Sequence, residues 1–411
     1  MSMRPLLGRT GRLVQFAAFA GCLVFLGGCA DMAARDSIHT LKNPPITYIV
    51  VDTIAEPSQP PTIVPHDDPA SLIPEGAPPQ LRAEGNRLVG PDGTAVRLRG
   101  VNIASLEWQD EGENVLESMA VAIDDWGSNV IRVPLSQDRW FGRSPTQSDG
   151  GARYREIVDA MVVGTAQRGA YIILELHWNN AGVWGENIGQ HHMPDEGSKL
   201  FWQDLGQRYG NHPAVLMGLY NEPHRESWDT WLNGGVVEED VRTRRERDPE
   251  NPIPRVRTRI RYRAVGLQEL YDATRAAGAT DSIIVIGALD WAYDLSGILT
   301  GHAVEGENIL YDSHVYGNKD WKPEFSWENT FLTPSQTVPV LIGEWGGGLR
   351  GRDGEEDDFI PRMVKVLREN EQLHWTAWCF HPQAGPPLLR NWDYEPNETG
   401  QIIIDELKAT N

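Results

Sequence analysis

Eight short runs of near-continuous apolar, β-favouring residues recur along the chain: Arg97–Ile103, Val130–Leu135, Tyr171–His177, Ala214–Asn221, Ser282–Leu289, Ile309–Tyr316, Val338–Trp345 and Trp375–Phe380. A strand with one wet face alternates apolar and polar residues. These runs do not, so they read as parallel strands buried on both faces. Parallel strands need long crossovers, and helical patterns fill several intervals, at Tyr154–Arg168, Leu200–Tyr209 and Tyr262–Ala277. Eight strands with helices between them predict an α/β fold, a (β/α)8 TIM barrel rather than an open doubly wound sheet. No GxGxxG turn follows the first run, which weighs against a dinucleotide-binding fold.

The stretch 81–411 fits one such barrel. Asn86–Val89, then Asp92-Gly93 and Val96, predict a small hairpin that caps the barrel floor ahead of the first strand. Ahead of it, residues 29–80 hold Pro44-Pro45, Pro60-Pro61 and Pro78-Pro79. Proline fixes φ and removes a backbone donor, so this stretch is expected to be an extended spacer. One run within it, Ile46–Val51, is apolar and β-like and invites docking onto a partner that the sequence does not identify.

Residues 1–28 read as an export signal: Arg4, Arg9 and Arg12 precede an apolar run, Leu13–Leu26, too short to span a membrane comfortably. The run ends in Leu26-Gly27-Gly28-Cys29, which resembles the bacterial lipobox. The resemblance implies that Cys29 is lipidated, becomes the first mature residue and anchors an exported protein in the bacterial cell envelope. Cys379 would then be the only cysteine left besides the acylated one, so no intramolecular disulfide is expected, and a packed thiol is its ordinary role.

Net charge is −21, and the leader contributes only cations to it. Such a field repels nucleic acid and leaves a neutral polysaccharide unaffected. Fifteen tryptophans are many for this length, and sugar sites use aromatic faces as platforms. The interval after the fourth run carries Glu238-Glu239-Asp240 and then Arg242, Arg244, Arg245 and Arg247, a pattern expected of a solvated, charge-laced insertion. His191-His192 has no third ligand at suitable spacing, so no metal is expected there.

In a barrel of this kind, reactive side chains sit at the carboxyl ends of the strands. The fourth run ends Tyr220-Asn221-Glu222-Pro223-His224, and the seventh ends Gly343-Glu344-Trp345. Each places a carboxylate at the mouth. Residues 215–224 resemble the signature of glycoside hydrolase family 5, the cellulase and mannanase family, and the resemblance extends from about Asn86 to Leu407. It implies that Glu222 is the general acid/base and Glu344 the nucleophile. It also implies that Arg132 orients the nucleophile, that His177 and Asn221 line the site, and that His314 and Tyr316 attend the reacting carboxylates. Trp378 would floor the subsite of the reacting sugar. Trp178, Trp184 and Trp291 are expected as walls of flanking subsites.

What the resemblance implies is hydrolysis by double displacement, with no cofactor and no metal, by a monomer acting on a β-linked polysaccharide or oligosaccharide. Negative charge on Glu344 favours a proton on Glu222 until Glu344 is esterified; Glu222 then serves as base. An endo-acting β-1,4-glucanase is the first expectation. A β-mannanase, or another β-glycanase acting on an exopolysaccharide, shares the same strand-end residues. A catalytically silent glycan-binding lipoprotein is the non-enzyme alternative.

Overall fold

The eight apolar runs become eight parallel strands in the computed structural model, which describes residues 47–54, 69–182, 189–242, 256–317, 319, 323–349 and 357–409. They are β1 Arg99–Asn102, β2 Val130–Ser136, β3 Tyr171–Trp178, β4 Val215–Gly218, β5 Ile284–Gly287, β6 Ile309–Val315, β7 Val340–Trp345 and β8 Leu373–Ala377. Each pairs with the next in chain order and β8 pairs with β1, which closes a (β/α)8 barrel. Residues 1–28, expected to be an export signal, lie outside the described residues, as do Cys29, Trp184 and most of the proline-rich stretch.

Helices cover the outside of the barrel: α1 Val115–Ala120, α2 Ala152–Gln167, α3 Glu196–Tyr209, α4 Leu267–Ala276, α5 Phe359–Glu369 and α6 Glu398–Lys408. In α5, Phe359, Ile360, Met363, Val364 and Leu367 recur at helical spacing and are all buried. Asp195 and Ser198 form a capping box that starts α3. The helix expected over Tyr262–Ala277 begins only at Leu267, because Tyr262–Ala264 end a strand and pair with Val237, Val236 and Gly235.

Strands 82–84, 87–89 and 95–96 form a small sheet about the Asp92-Gly93 turn, with Gly93 at φ 82. Leu81, Leu88 and Leu98 pack against Val130, Tyr171, Leu216 and Leu310, so the sheet plugs the amino end of the barrel as expected. The body begins before residue 81. Leu72 packs against the core, its carbonyl faces His212 Nε2 at 3.0 Å, and Pro79 accepts from the Tyr171 hydroxyl at 2.8 Å.

After β4 the insertion forms an antiparallel pair, Gly235–Arg242 with Val256–Ala264. Its outer face is laced with charge, Arg259 pairing Asp240 at 3.0 Å and Arg261 facing Glu238 at 3.6 Å. Alternation turns Val237, Glu239, Tyr262 and Ala264 to the buried face. The expectation of a wholly solvated insertion therefore fails at Glu239. The β-like run found in the spacer also has a place: Thr47–Ile54 pairs in parallel with Val256–Arg261 and adds a third strand to the insertion.

Candidate active site

The carboxyl ends of the strands gather polar side chains that would be costly anywhere else in a barrel. Arg132 on β2 is fully buried, and its guanidinium is the hub. Nη1 donates to Glu344 Oε1 and to Asn102 Oδ1, each at 2.9 Å. Nη2 donates to Asn221 Oδ1 at 2.8 Å and lies 3.3 Å from Glu175 Oε2. A planar fork with fixed donors can align three elements at once, which a lysine could not. Burial opposes the charge on Arg132, but Glu175, Glu344 and Asp312 outweigh it and raise its pKa.

Glu344, at the end of β7, also accepts from the Tyr316 hydroxyl at 2.9 Å. Burial alone would raise its pKa; the charges of His314, Arg132 and His177, together with the Tyr316 hydrogen bond, instead hold it at about 2. His314 lies between the two acids. Its Nδ1 is 3.0 Å from Glu222 Oε1 and 3.7 Å from Glu344 Oε2, and its Nε2 is 3.3 Å from Asp312 Oδ2. Burial works against a charge here too, but Glu344 and Asp312 outweigh it and push the imidazole up to about 10. His314 and Tyr316 reach the same mouth because alternation puts them on one face of the strand path.

Glu222 follows β4. Beyond Gly218 the backbone stays tied to its neighbours, Leu219 N–H donating to Val285 O at 2.9 Å and Asn221 N–H to Leu176 O at 3.0 Å. It brings Glu222 to the rim, where its side chain is 22% exposed against 6% for Glu344. Glu222, His314 and Glu344 each bring one atom within 4.8 Å of the others, so the two carboxylates nearly meet. A cation could be imagined there. A protonated His314 offers no lone pair, however, and Arg132 already neutralises Glu344, so the donor set is poor for a metal. What this arrangement can do is place one fixed, ionised carboxylate and one half-buried carboxylate on either side of a bond.

The cellulase (glycosyl hydrolase family 5) profile matches residues 89–384, more than half of the chain. The chain belongs to glycosyl hydrolase family 5. Endoglucanase MaCel5A of Microbulbifer sp. is 24% identical over 313 residues, which cover 73% of this chain and 51% of that protein. Endoglucanase A of Butyrivibrio fibrisolvens is 25% identical over 326 residues, covering 79% of this chain and 62% of that one. The chain thus spans only about half to three-fifths of the length of these relatives. The β-glucanase SdGluc5_26A of Saccharophagus degradans shares the fold, with a TM-score of 0.62 at 23% identity, covering 84% of this chain and 98% of that chain.

The remaining expected residues of this family 5 barrel divide into two groups. His177 Nδ1 lies 2.9 Å from Glu175 Oε2, and its ring stacks on Trp378 with centroids 5.6 Å apart. Burial would lower the His177 pKa, but Glu175 and Glu107 raise it. Trp178 is buried beside Trp108 and Trp378. Beside Glu222, Trp291 donates its backbone N–H to the carbonyl of Pro223, and its ring stacks on His224 at 4.7 Å. Asp290, Trp291 and Ala292 all hold positive φ, a costly backbone for non-glycine residues and one that concentrates at functional sites.

Several residues of the site escaped the sequence reading. Asn102, Glu175 and Asp312 anchor Arg132, His177 and His314, and Gln190 bridges Asn221 to the Glu222 carbonyl. A signal existed for two of them. Glu175 and Asp312 each precede a site histidine by two residues and so share its face of the strand. Glu107, buried beside this group and pushed by burial up to about 7, had no such signal.

Proposed function

We propose that this protein is a retaining endo-β-1,4-glucanase in which Glu344 is the nucleophile and Glu222 the general acid/base. The observation that carries this reading is the approach of the two carboxylates to within 4.8 Å, one buried and ionised, the other half-buried. Retaining enzymes hold their acids about 5–5.5 Å apart, whereas inverting enzymes leave about 6.5–9.5 Å for a water.

In the first step a Glu344 oxygen attacks the anomeric carbon, and the bond to the leaving oxygen breaks as Glu222 protonates it. Arg132 and Tyr316 aim Glu344 and keep it charged before attack. In the second step Glu222, now a carboxylate, takes a proton from water, whose oxygen attacks the same carbon and releases Glu344. Asn221, fixed by Arg132 at 2.8 Å, is placed to bond the sugar 2-hydroxyl, a contact that strengthens in the transition state.

Endo action is supported by aromatic rings beside the site: Trp378 stacks on His177, and Trp291 stacks on His224, two residues from Glu222. A glucan substrate is supported by the relatives' names as endoglucanases and by the crystallisation of the Saccharophagus β-glucanase with cellotetraose. The test is proton NMR of the first product from cellopentaose, beside a panel of soluble glucans, mannans and xylans. The expected product is the β-anomer, from glucans. A first-formed α-anomer would overturn the mechanism, and activity confined to mannan would overturn the substrate.

A further inference from the structure

Among the described residues of the insertion, Glu239 is the one acid with a buried side chain, 6% exposed. Its position near the reacting groups is indirect but closely connected. Oε1 pairs with His191 Nδ1, and Oε2 accepts from the backbone N–H of His192 at 2.7 Å. The neighbouring insertion strand holds the next residue: the Tyr262 hydroxyl accepts from Met193 N at 3.0 Å and donates to Met193 O at 3.2 Å. The opposite side of this short segment faces the end of β4. The Tyr220 hydroxyl donates to His191 O at 2.8 Å, and His224 N donates to His192 O at 3.1 Å. Gln190, at the head of the segment, donates to the Glu222 carbonyl at 2.7 Å and accepts from Asn221 Nδ2 at 3.0 Å.

We propose that Glu239 is a positioning residue for Glu222: it clamps residues 190–193 between the insertion and β4, and Gln190 transmits that clamp to Asn221 and Glu222. This rests on the reading of Glu222 as proton donor. A proton donor must meet the leaving oxygen within hydrogen-bond reach, so small displacements of its backbone cost rate selectively when the leaving group needs the proton. The insertion is then a working part of the cleft and not a surface decoration.

The charge of Glu239 is what holds the clamp. Glu239→Gln keeps the shape but leaves the His191 imidazole without its carboxylate partner and turns a donor toward it. Gln190→Ala cuts the link to Asn221 and Glu222 without touching the buried pair. For both variants kcat/KM is compared on cellotetraose, whose leaving sugar needs protonation, and on 2,4-dinitrophenyl β-cellobioside, whose leaving group departs without it. We expect a loss of about tenfold or more on cellotetraose and a several-fold smaller loss on the aryl glycoside, which still uses Asn221 but does not need the proton. Equal losses on both substrates, as a general loosening of the barrel would produce, overturn the proposal, and so do unchanged rates. Hydrogen exchange reads the clamp without any substrate: protection across 190–193 should fall in Glu239→Gln while the barrel strands keep theirs, and unchanged protection overturns it. A wild-type protein inert on both glycosides would overturn the glucanase reading instead, and exchange would still decide the clamp.

Discussion

A carboxylate that attacks carbon must stay ionised, yet burial pushes any carboxyl toward its neutral form. At Glu344 the Tyr316 hydroxyl is one of the groups that reverse this, donating at 2.9 Å to the oxygen that Arg132 does not hold. Tyr316→Phe removes that donor and keeps the ring. The Glu344 pKa should rise, so the acid limb of the kcat/KM profile should move to higher pH. A hydrogen bond to a charged group is worth about 1.5–3 kcal/mol, so kcat should fall about 10- to 100-fold. A profile superimposable on the wild type would show that Tyr316 does not tune Glu344. The same groups set stability. Glu344 sits at about 2 against an ordinary 4.5, so its contribution is present above about 4.5 and is lost as pH falls toward 2. His314 sits at about 10 against 6.5, so its contribution is present below 6.5 and is lost as pH rises toward 10.

At the scale of elements, β6 and β7 meet so closely at the site that only glycine fits at 343. A Cβ there would overlap both oxygens of Asp312, and the Gly343 N–H already donates to Asp312 Oδ1 at 2.7 Å. Asp312 cannot swing away without abandoning His314 and that amide. Gly343→Ala should therefore cost about 1–3 kcal/mol in urea unfolding and also lower kcat, because the displaced carboxylate shifts His314 and Glu344 together. Unchanged stability with wild-type activity would show that β6 and β7 can separate freely. Element packing of this sort also explains what was readable in the chain. The eight strands were legible because burial on both faces leaves uninterrupted apolar runs, and Glu222 and Glu344 stood out because a carboxylate at the end of such a run is conspicuous. Arg132, third in its strand, was reached only through the family resemblance. Asn102 was not conspicuous, because it lies inside the run Arg97–Ile103 and not at its end. Glu239 was hidden for a different reason. It sits in a run of charges, and only the antiparallel register with Val256–Ala264 turns it inward while Glu238 and Asp240 face outward or to the edge. The pairing of Thr47–Ile54 with the same insertion was equally invisible, since strand partners distant in sequence leave no local pattern.

Charge belongs to the whole molecule. The chain carries a net −21 at neutral pH, while the acids of the site are largely neutralised by Arg132 and His314, so the site is locally balanced. Local balance governs the chemistry, whereas the field governs which polymers approach. A neutral β-glucan carries no charge for that field to act on. Carboxymethylcellulose has the same backbone but is a polyanion, and its approach is opposed. Salt separates the two effects, because the screening length shortens from about 30 Å at 0.01 M to about 10 Å at 0.1 M, comparable to the width of a substrate cleft. Initial rates measured across that range should show kcat/KM on carboxymethylcellulose rising several-fold, with kcat nearly constant, since encounter and not bond cleavage is relieved. On mixed-linkage β-glucan both parameters should stay flat. If both substrates respond alike, salt acts on the fold or the catalytic groups. If neither responds, the negative charge lies away from the cleft, and the acidity of the chain serves solubility alone.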